Sequence, residues 1–260
     1  MIKKIVRIVS YSIIAVAIFT LLGFAVDSNK NSECSSFLVH LKYDQDNFFV
    51  EQDDVMASVN AYLGNIEGRK ISDIKLDELE RIVKDMIFVE KAHAYKTIDS
   101  EIHVIVAPRK PLVRIVNAYN QSYYIDTKGK LMPVSRKYTA RVPVVFGNVK
   151  TSYSALLDLN AGEENYQTDK LLQDIFILSK YIAENSFWNA FIDQIYITSK
   201  SEFELIPKSN IHTVEFGGID DMEEKFRKLK IFYIDGLTKV GWRNYNRINI
   251  KYNNQVVCSK

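Results

Sequence analysis

The run Ile8–Val26, IVSYSIIAVAIFTLLGFAV, sets the layout of this chain, because it is long and apolar enough to cross a membrane as one helix. Crossing the hydrocarbon takes about 20 mostly apolar residues. The polar residues within the run are uncharged, and their hydroxyls can bond back to helix carbonyls. Lys3, Lys4 and Arg7 precede the run, and positive charge holds a flank in the cytoplasm. The run predicts a cytoplasmic tail at residues 1–7, a transmembrane helix at 8–26, and a single-pass protein of the cytoplasmic (inner) membrane whose C-terminal domains are periplasmic.

A cleavable signal peptide is the alternative interpretation of the same run. Gly23-Phe24-Ala25 would supply small residues at a cleavage position, but the run exceeds the about 7–15 residues usual for a signal core. That length favours a retained anchor. Under either interpretation the remainder of the chain works outside the cytoplasm.

The composition is that of an ordinary globular protein, with 47% hydrophobic and 25% charged residues among 260. Three of the 34 Lys and Arg residues precede the apolar run, which leaves 31 against 32 Asp and Glu. Without a basic surface, nucleic acid is not expected as a partner. Cys34 and Cys258 stand near opposite ends of the exported part, and two separate thiols are expected rather than a disulfide.

Residues 27–36 are polar and predict a linker, after which the pattern indicates a β-α-α-β-β domain over residues 37–110. Apolar residues recur at helical spacing in its helices and at every second position in its last strand. Two helices on a three-stranded sheet can bury one shared core. The elements are expected at Phe37–Tyr43, from about Glu51 to Leu63, at Lys75–Asp85, at Val89–Thr97 and at Glu101–Ala107.

Residues 111–260 predict a mostly antiparallel β domain with flanking helices, because short strand patterns recur with turn signals between them. Gly129 ends one such turn, and glycine readily takes the positive φ that tight turns need. The exported part is thus of the α+β class. Strands are expected at Leu112–Val116, Ser122–Ile125, Val142–Phe146, Ile192–Thr198, Phe203–Ile206, Ile211–Phe216 and from Arg247 to about Val257, with helices starting near Thr168 and Asp220.

The sequence lacks the residue patterns that carry catalysis or metal binding. A nucleophile elbow, a zinc-protease helix motif and a phosphate-binding glycine loop do not occur. The four histidines, none of which has a second His or Cys at ligand spacing, are His40, His93, His103 and His212. We therefore expect no enzymatic activity, no cofactor, no metal and no small-molecule substrate.

The last strand pattern is the clearest indication of a binding surface. In Ile248-Asn249-Ile250-Lys251-Tyr252 apolar and polar residues alternate, and Val256 and Cys258 continue the apolar phase. One face would pack on the core while the other meets solvent, and the outer edge would be open to strand addition by a partner. Two alternatives remain: a terminal strand that is paired on both sides, or a hairpin that turns at Asn253-Asn254.

Four motifs, in order along the chain, resemble those of the FtsQ/DivIB bacterial cell-division family, and so does the layout of tail, membrane helix and two domains. They are Arg109-Lys110-Pro111-Leu112-Val113, similar to E-R-x-P-x-A; Tyr124-Ile125-Asp126-Thr127-Lys128-Gly129, similar to Y-x-D-x-x-G; Val142-Pro143-Val144-Val145-Phe146-Gly147, similar to L-P-x-x-x-G; and Ile248–Val257, similar to I-D-L-R-Y-x-N-Q-V-V. The chain departs from the family pattern at Pro108, which replaces a Glu, at Ile87-Phe88, where Pro-Trp is common, and at Asn249, which replaces an acidic residue.

The resemblance implies that residues 37–110 form a POTRA domain and that the chain is a membrane-anchored, non-enzymatic scaffold of the divisome. It implies that the last strand pairs with the small coiled-coil protein FtsB, which is bound to FtsL. Lys251 would meet an acidic partner residue, Tyr252 would pack against the partner, and Arg109 and Pro111 would mark the domain junction. The implied partner-binding residues are Ile248, Asn249, Ile250, Lys251, Tyr252, Asn253, Asn254, Gln255 and Val256. A POTRA-type extracytoplasmic chaperone or secretion factor, which handles client strands, is the alternative.

Overall fold

The computed structural model describes residues 11, 13–20, 32–42, 48–153 and 169–260, and the chain divides into two compact units, Met1–Pro108 and Arg109–Lys260. Residues 13–20 are helical with exposed side chains. The described residues do not include the predicted tail or the first part of the predicted linker. Of the predicted membrane run they include Tyr11 and residues 13–20. Within the described ranges no helix has the length and apolar character needed to span a bilayer. The membrane anchor therefore stays a prediction.

The first unit has the predicted order of a strand, two helices and two further strands. Its elements are β1 (Ser36–Leu41), α1 (Gln52–Leu63), a 3-10 turn (Ile71–Asp73), α2 (Leu76–Lys84), β2 (Val89–Lys96) and β3 (Glu101–Pro108). Strand β3 is central: β1 pairs with it in parallel and β2 pairs with its other side in antiparallel register. Within the part of this unit that the structure describes, β1 and β2 are thus the two edges of the sheet.

Local sequence signals place these elements. Helix α1 begins where the Asp54 carboxylate accepts the backbone N–H of Glu51 at 3.1 Å, one half of a capping box. It ends at Gly64, whose φ of 72° lies in the left-handed region that glycine tolerates. Leu79 of α2 and Val104 of β3 are fully buried, which confirms the helical and alternating patterns that predicted this core.

The second unit contains one large sheet with helices on one face. Its elements are β4 (Pro111–Val116), β5 (Ser122–Asp126), β6 (Leu131–Pro133), β7 (Val144–Gly147), α3 (Lys170–Glu184), α4 (Ser186–Phe191), β8 (Ile192–Ile197), β9 (Phe203–Pro207), β10 (Thr213–Gly217), α5 (Met222–Ile231), a π-helical segment (Phe232–Leu237), α6 (Thr238–Val240), β11 (Arg247–Asn249) and β12 (Val257–Ser259). In the described ranges the strand order is β12-β11-β10-β9-β8-β7-β4-β5-β6.

This sheet is mixed: five of its eight described strand pairings are antiparallel, as predicted for a mostly antiparallel domain, and three are parallel, which the sequence did not predict. Strands β4 and β7, β7 and β8, and β10 and β11 pair in parallel, while the other neighbours are antiparallel. Parallel neighbours need a crossover connection, and helices commonly provide it. Helices α3 and α4 lie in the connection from β7 to β8, and the helical stretch Met222–Val240 lies in the connection from β10 to β11. The sequence pattern predicted α3 and the helix that starts near Asp220, but it predicted neither α4 nor that these helices are crossovers.

The core of the second unit lies between the sheet and these helices. Asp169 caps α3, where its carboxylate accepts the backbone N–H of Leu171 at 3.0 Å. Trp188 of α4, Phe226 of α5 and Tyr233 of the π-helical segment are buried together, with ring centroids 4.9 Å apart for Trp188 and Phe226. This aromatic cluster fixes the crossover helices on the sheet and so positions the C-terminal strands.

Candidate partner-binding edge at the C-terminal hairpin

The C-terminal segment is a hairpin, so the prediction of one continuous strand from Arg247 to Val257 is wrong. Strand β11 pairs with β10 through Val214 and Ile248 and with β12 through Ile248 and Cys258. Its backbone groups are therefore occupied on both sides and offer no open edge at Ile248 and Asn249. The alternative of a hairpin turning at Asn253-Asn254 is confirmed. Asn254 adopts a φ of 59°, and asparagine is among the residues that tolerate this left-handed conformation.

The outer edge of the sheet lies instead on β12, the last strand in the order. The Ser259 carbonyl faces inward, where it accepts the Asn246 N–H at 2.9 Å. Because backbone groups alternate along an antiparallel strand, the N–H and C=O of Cys258 face outward. Among the described residues no side chain forms a hydrogen bond with the backbone of Val257–Ser259. This edge has the hydrogen-bonding groups that an added strand requires.

The side chains of the implied partner-binding residues divide into core and surface. Ile248 and Ile250 are fully buried, and Val256 packs partly against the core. Tyr252 is 52% exposed and lies in the turn with three exposed polar neighbours. A partner can therefore reach the turn directly. The exposed neighbours are Asn253, Asn254 and Gln255.

Glu215 of β10 anchors the hairpin to the rest of the sheet. Its carboxylate accepts Nε of Arg247 at 2.6 Å and Nδ2 of Asn249 at 2.6 Å, and it lies 3.8 Å from Nζ of Lys251. The other end of the Arg247 guanidinium pairs with Glu204 of β9. Hydrogen bonds to these carboxylates, that of Glu215 first, raise the pKa of Arg247, so this attachment keeps its charge.

Lys251 is already paired within the chain. Its ammonium lies 3.2 Å from the Glu202 carboxylate, and this hydrogen bond raises the pKa of Lys251. The resemblance assigns Lys251 to an acidic partner residue. Such a residue would have to compete with Glu202 for the same ammonium.

A second lysine holds the turn from the helix side. Nζ of Lys228 in α5 donates to the carbonyl of Ile250 at 2.9 Å and also to that of Tyr252. Burial lowers the pKa of Lys228. Because one ammonium bonds two carbonyls on either side of Lys251, the turn that presents Tyr252 is tied to the crossover helix.

A groove of about 410 Å³ lies beside this turn. Its apolar part comes from Ile231, Phe232 and Val256, and Asp235 lies at its rim. A Cβ at Gly236 would lie 2.8 Å from the Phe232 ring, so only glycine leaves the ring in this position. Sequence reasoning missed this groove, because it depends on the π-helical turn that sets Phe232 against Gly236. The one available signal was a glycine inside a helical pattern.

Arg109 and Pro111, the predicted domain junction, lie at the start of the first hairpin of the second unit. Pro111 starts β4, and Nη1 of Arg109 lies 3.6 Å from the carboxylate of Asp126. Asp126 is 2% exposed and accepts the backbone N–H groups of Lys128 at 2.9 Å and Lys130 at 2.7 Å. Two of the four sequence motifs thus meet at one buried carboxylate that shapes the turn.

Three of the histidines lie in the first unit, and two of them contact each other, which their spacing along the sequence did not predict. Nε2 of His40 and Nδ1 of His103 are 2.8 Å apart, and Nε2 of His103 lies 3.0 Å from Glu101. His93 pairs with Glu80 at 2.8 Å. Over the part of the chain that the structure describes, no group of three or more ligating side chains could hold a metal ion.

These features define a two-unit α+β protein whose C-terminal sheet ends in an accessible strand beside an apolar groove. A family model for FtsQ/DivIB, C-terminal related, matches residues 110–259, and a model for a POTRA-like domain matches residues 32–107. The chain therefore belongs to the FtsQ/DivIB C-terminal related family, and its first unit is POTRA-like. Both are families of scaffold domains that are generally non-enzymatic. No curated protein matches the chain significantly.

Proposed function

We propose that this protein is a membrane-anchored, non-enzymatic scaffold of the bacterial divisome that recruits or regulates septal partners by strand addition at β12. The run Ile8–Val26 is the anchor, with the N-terminus cytoplasmic and residues 27–260 on the periplasmic side. The partner is a segment of an FtsB/FtsL-like coiled-coil division protein. Family membership supports the division role, and the accessible edge of β12 supports the mode of binding.

The observation that carries the proposal is the combination of that edge with the groove beside it. In an added strand alternate side chains point to opposite faces of the sheet. The main chain would bond the outward groups of Cys258, and a side chain on the helix face would enter the groove at Phe232 and Val256. Strand addition thus gains both backbone hydrogen bonds and an apolar contact.

Tyr252→Glu tests the binding surface in the complete protein. Tyr252 is exposed in the turn, so the change adds a charge without disturbing the core. We expect co-purification of the FtsB/FtsL-like partner to fall about tenfold or more, as for a central aromatic contact. Tyr119→Glu is the matched control, since Tyr119 is 65% exposed in the β4–β5 turn. Equal capture by both variants and the parent protein would refute the proposed surface.

A second possible variant, Ile250→Pro, would not test the binding surface. The Ile250 N–H donates to the Glu215 carbonyl at 3.1 Å and its side chain is fully buried, so proline there would damage the fold itself. Hydrogen exchange is a better probe of the edge. On addition of the partner the Cys258 amide should exchange at least about tenfold more slowly, since it gains a hydrogen-bond acceptor.

Depletion in the living cell tests the cellular role. Filamentous cells without septa are expected for a divisome scaffold. Loss of envelope proteins without filamentation would instead favour the POTRA-type chaperone or secretion factor.

A further inference from the structure

We infer that Glu80 keeps the β2 edge of the POTRA-like sheet from accepting an extended segment, and so restricts strand addition to the C-terminal edge. The inference deepens the proposed function and rests on it, because it assigns which sheet edge a partner strand can use.

The Glu80 side chain occupies the position that the carbonyl of an added strand would take. Among the described residues strand β2 pairs with β3 on one side only, and the backbone N–H of Ala94 points to the other side. That N–H donates to Oε1 of Glu80 at 2.7 Å. The same oxygen lies 2.8 Å from Nδ1 of His93, which holds the carboxylate over the edge. An incoming strand would have to displace Glu80 to form its own hydrogen bond with Ala94.

The β2 edge has space beside it for an added strand. A groove of about 460 Å³ runs between α2 and β2, and Ala92, whose backbone alternates in phase with Ala94, lines it. Arg81, Lys84 and Lys91 also line the groove. A peptide backbone would therefore fit once the carboxylate is removed.

The β1 edge of the same sheet is capped in the same manner. The N–H of Phe37 donates to the Glu67 carboxylate at 3.1 Å, and the carbonyl of Val39 accepts Nε2 of Gln52 at 2.9 Å. Side chains that cover an edge strand are a common defence against unwanted pairing.

In the second unit the two edges differ. Strand β6 has three residues and includes Pro133, and short strands and proline both weaken an edge for pairing. Strand β12 has neither proline nor, among the described residues, a capping side chain. Of the four described sheet edges, β12, although as short as β6, is the one with neither a proline nor a capping side chain, and Glu80 closes the β2 edge.

The test uses three variants of the full chain. Glu80→Ala removes the cap, Glu80→Gln keeps an acceptor oxygen without the charge, and Glu78→Ala removes a carboxylate from the same helix that makes no such bond to β2. The probe is a fluorescein-labelled synthetic peptide with the sequence Glu101–Ala107, the natural antiparallel neighbour of β2. Binding is followed by fluorescence anisotropy, and edge protection by hydrogen exchange at Ala94.

We expect the Ala94 amide to exchange about tenfold faster in Glu80→Ala than in the parent, since a charge-assisted hydrogen bond is lost. That variant should also gain peptide binding, while Glu80→Gln and Glu78→Ala should behave like the parent. Unchanged exchange and no gain of binding in folded Glu80→Ala would overturn the inference, as would an equal gain in Glu78→Ala. Circular dichroism confirms folding, and Glu80→Gln keeps the comparison valid if alanine perturbs the helix.

Partner capture by the same variants separates this inference from the proposed function. Glu80→Ala should capture the FtsB/FtsL-like partner as well as the parent does. If the parent protein captures none, the proposed function fails while the exchange result at Ala94 still decides the role of Glu80.

Discussion

Arg247 joins β11 to β10 through Glu215, with 2.6 Å between Nε and the carboxylate. Its guanidinium also pairs with Glu204, which lies directly opposite Glu215 in the antiparallel pairing of β9 and β10. Like charges at directly opposed positions destabilise a sheet. Arg247 therefore neutralises the repulsion between the two carboxylates. The C-terminal hairpin is the element that supplies this arginine.

Arg247→Met should lower the free energy of unfolding by about 0.5–1 kcal/mol, because the two partly exposed carboxylates then face each other without the cation that pairs with both. Urea denaturation measures the loss, which should shrink at high salt as screening increases. Arg227→Met is the control, since Arg227 pairs with Glu224 on an exposed helix face. An equal loss in both variants would contradict a special role for Arg247.

Ile248→Ala should lower the free energy of unfolding by about 2–4 kcal/mol, because it leaves a cavity at a fully buried position in the core of the second unit. The matched control is Ile234→Ala, at a side chain that is 53% exposed. Chemical denaturation of the two variants checks the difference. A loss near zero for Ile248→Ala would show that the hairpin is not part of the cooperative core.

His212 should make the protein less stable in acid. Its side chain is buried, Nε2 lies 2.8 Å from the Tyr233 hydroxyl, and burial lowers the pKa of His212. An unfolded histidine titrates near pH 6.5, so below about that pH the unfolded state binds more protons than the folded one. The free energy of unfolding then falls with decreasing pH, by up to about 1.4 kcal/mol per pH unit from this group, until the folded pKa is reached.

The check is urea unfolding at pH 7 and pH 5 for the parent and for His212→Gln. The variant should lose part of the pH dependence that the parent shows. An unchanged pH dependence in His212→Gln would contradict the assignment to this buried imidazole.

Gly147→Ala should destabilise the second unit by about 2 kcal/mol or more. Gly147 has a φ of 107°, and an added Cβ would lie 2.4 Å from the Ile197 carbonyl oxygen on β8. Gly68→Ala separates the two causes, since Gly68 has a φ of 80° with no atom within 4 Å of the new carbon. Thermal or chemical unfolding should show a smaller loss for Gly68→Ala. Equal losses would attribute the whole effect to backbone strain.

The fold of the first unit was predictable because its signals are local. Leu79, Ile82 and Val83 recur at helical spacing, and Ile102 alternates with half-buried neighbours along β3, and all four are buried as expected. The glycines and aspartate of the second-unit motifs were recognisable as a pattern. Only the structure shows why these residues are needed. Gly147 lies close to the β8 backbone, and the Asp126 carboxylate accepts hydrogen bonds from two backbone N–H groups of the turn.

The sequence left the C-terminal hairpin as an alternative to a continuous strand, because its turn preserves the phase of alternation. Ile248 and Ile250 before the turn and Val256 and Cys258 after it share one parity, so the pattern is that of a continuous strand. The attachment of the hairpin was also hidden, because Glu215 and Arg247 are separated by a whole crossover along the chain. Contacts between such distant residues carry no periodic signal.

The parallel pairing of β10 with β11 has a consequence for biogenesis. Strand β11 can take its place only after the chain has passed through the helical crossover Met222–Val240 and returned to the same end of the sheet. The surface proposed to receive the partner thus depends on a folded second unit. A partner that binds at this surface would then discriminate between folded and unfolded copies of the protein.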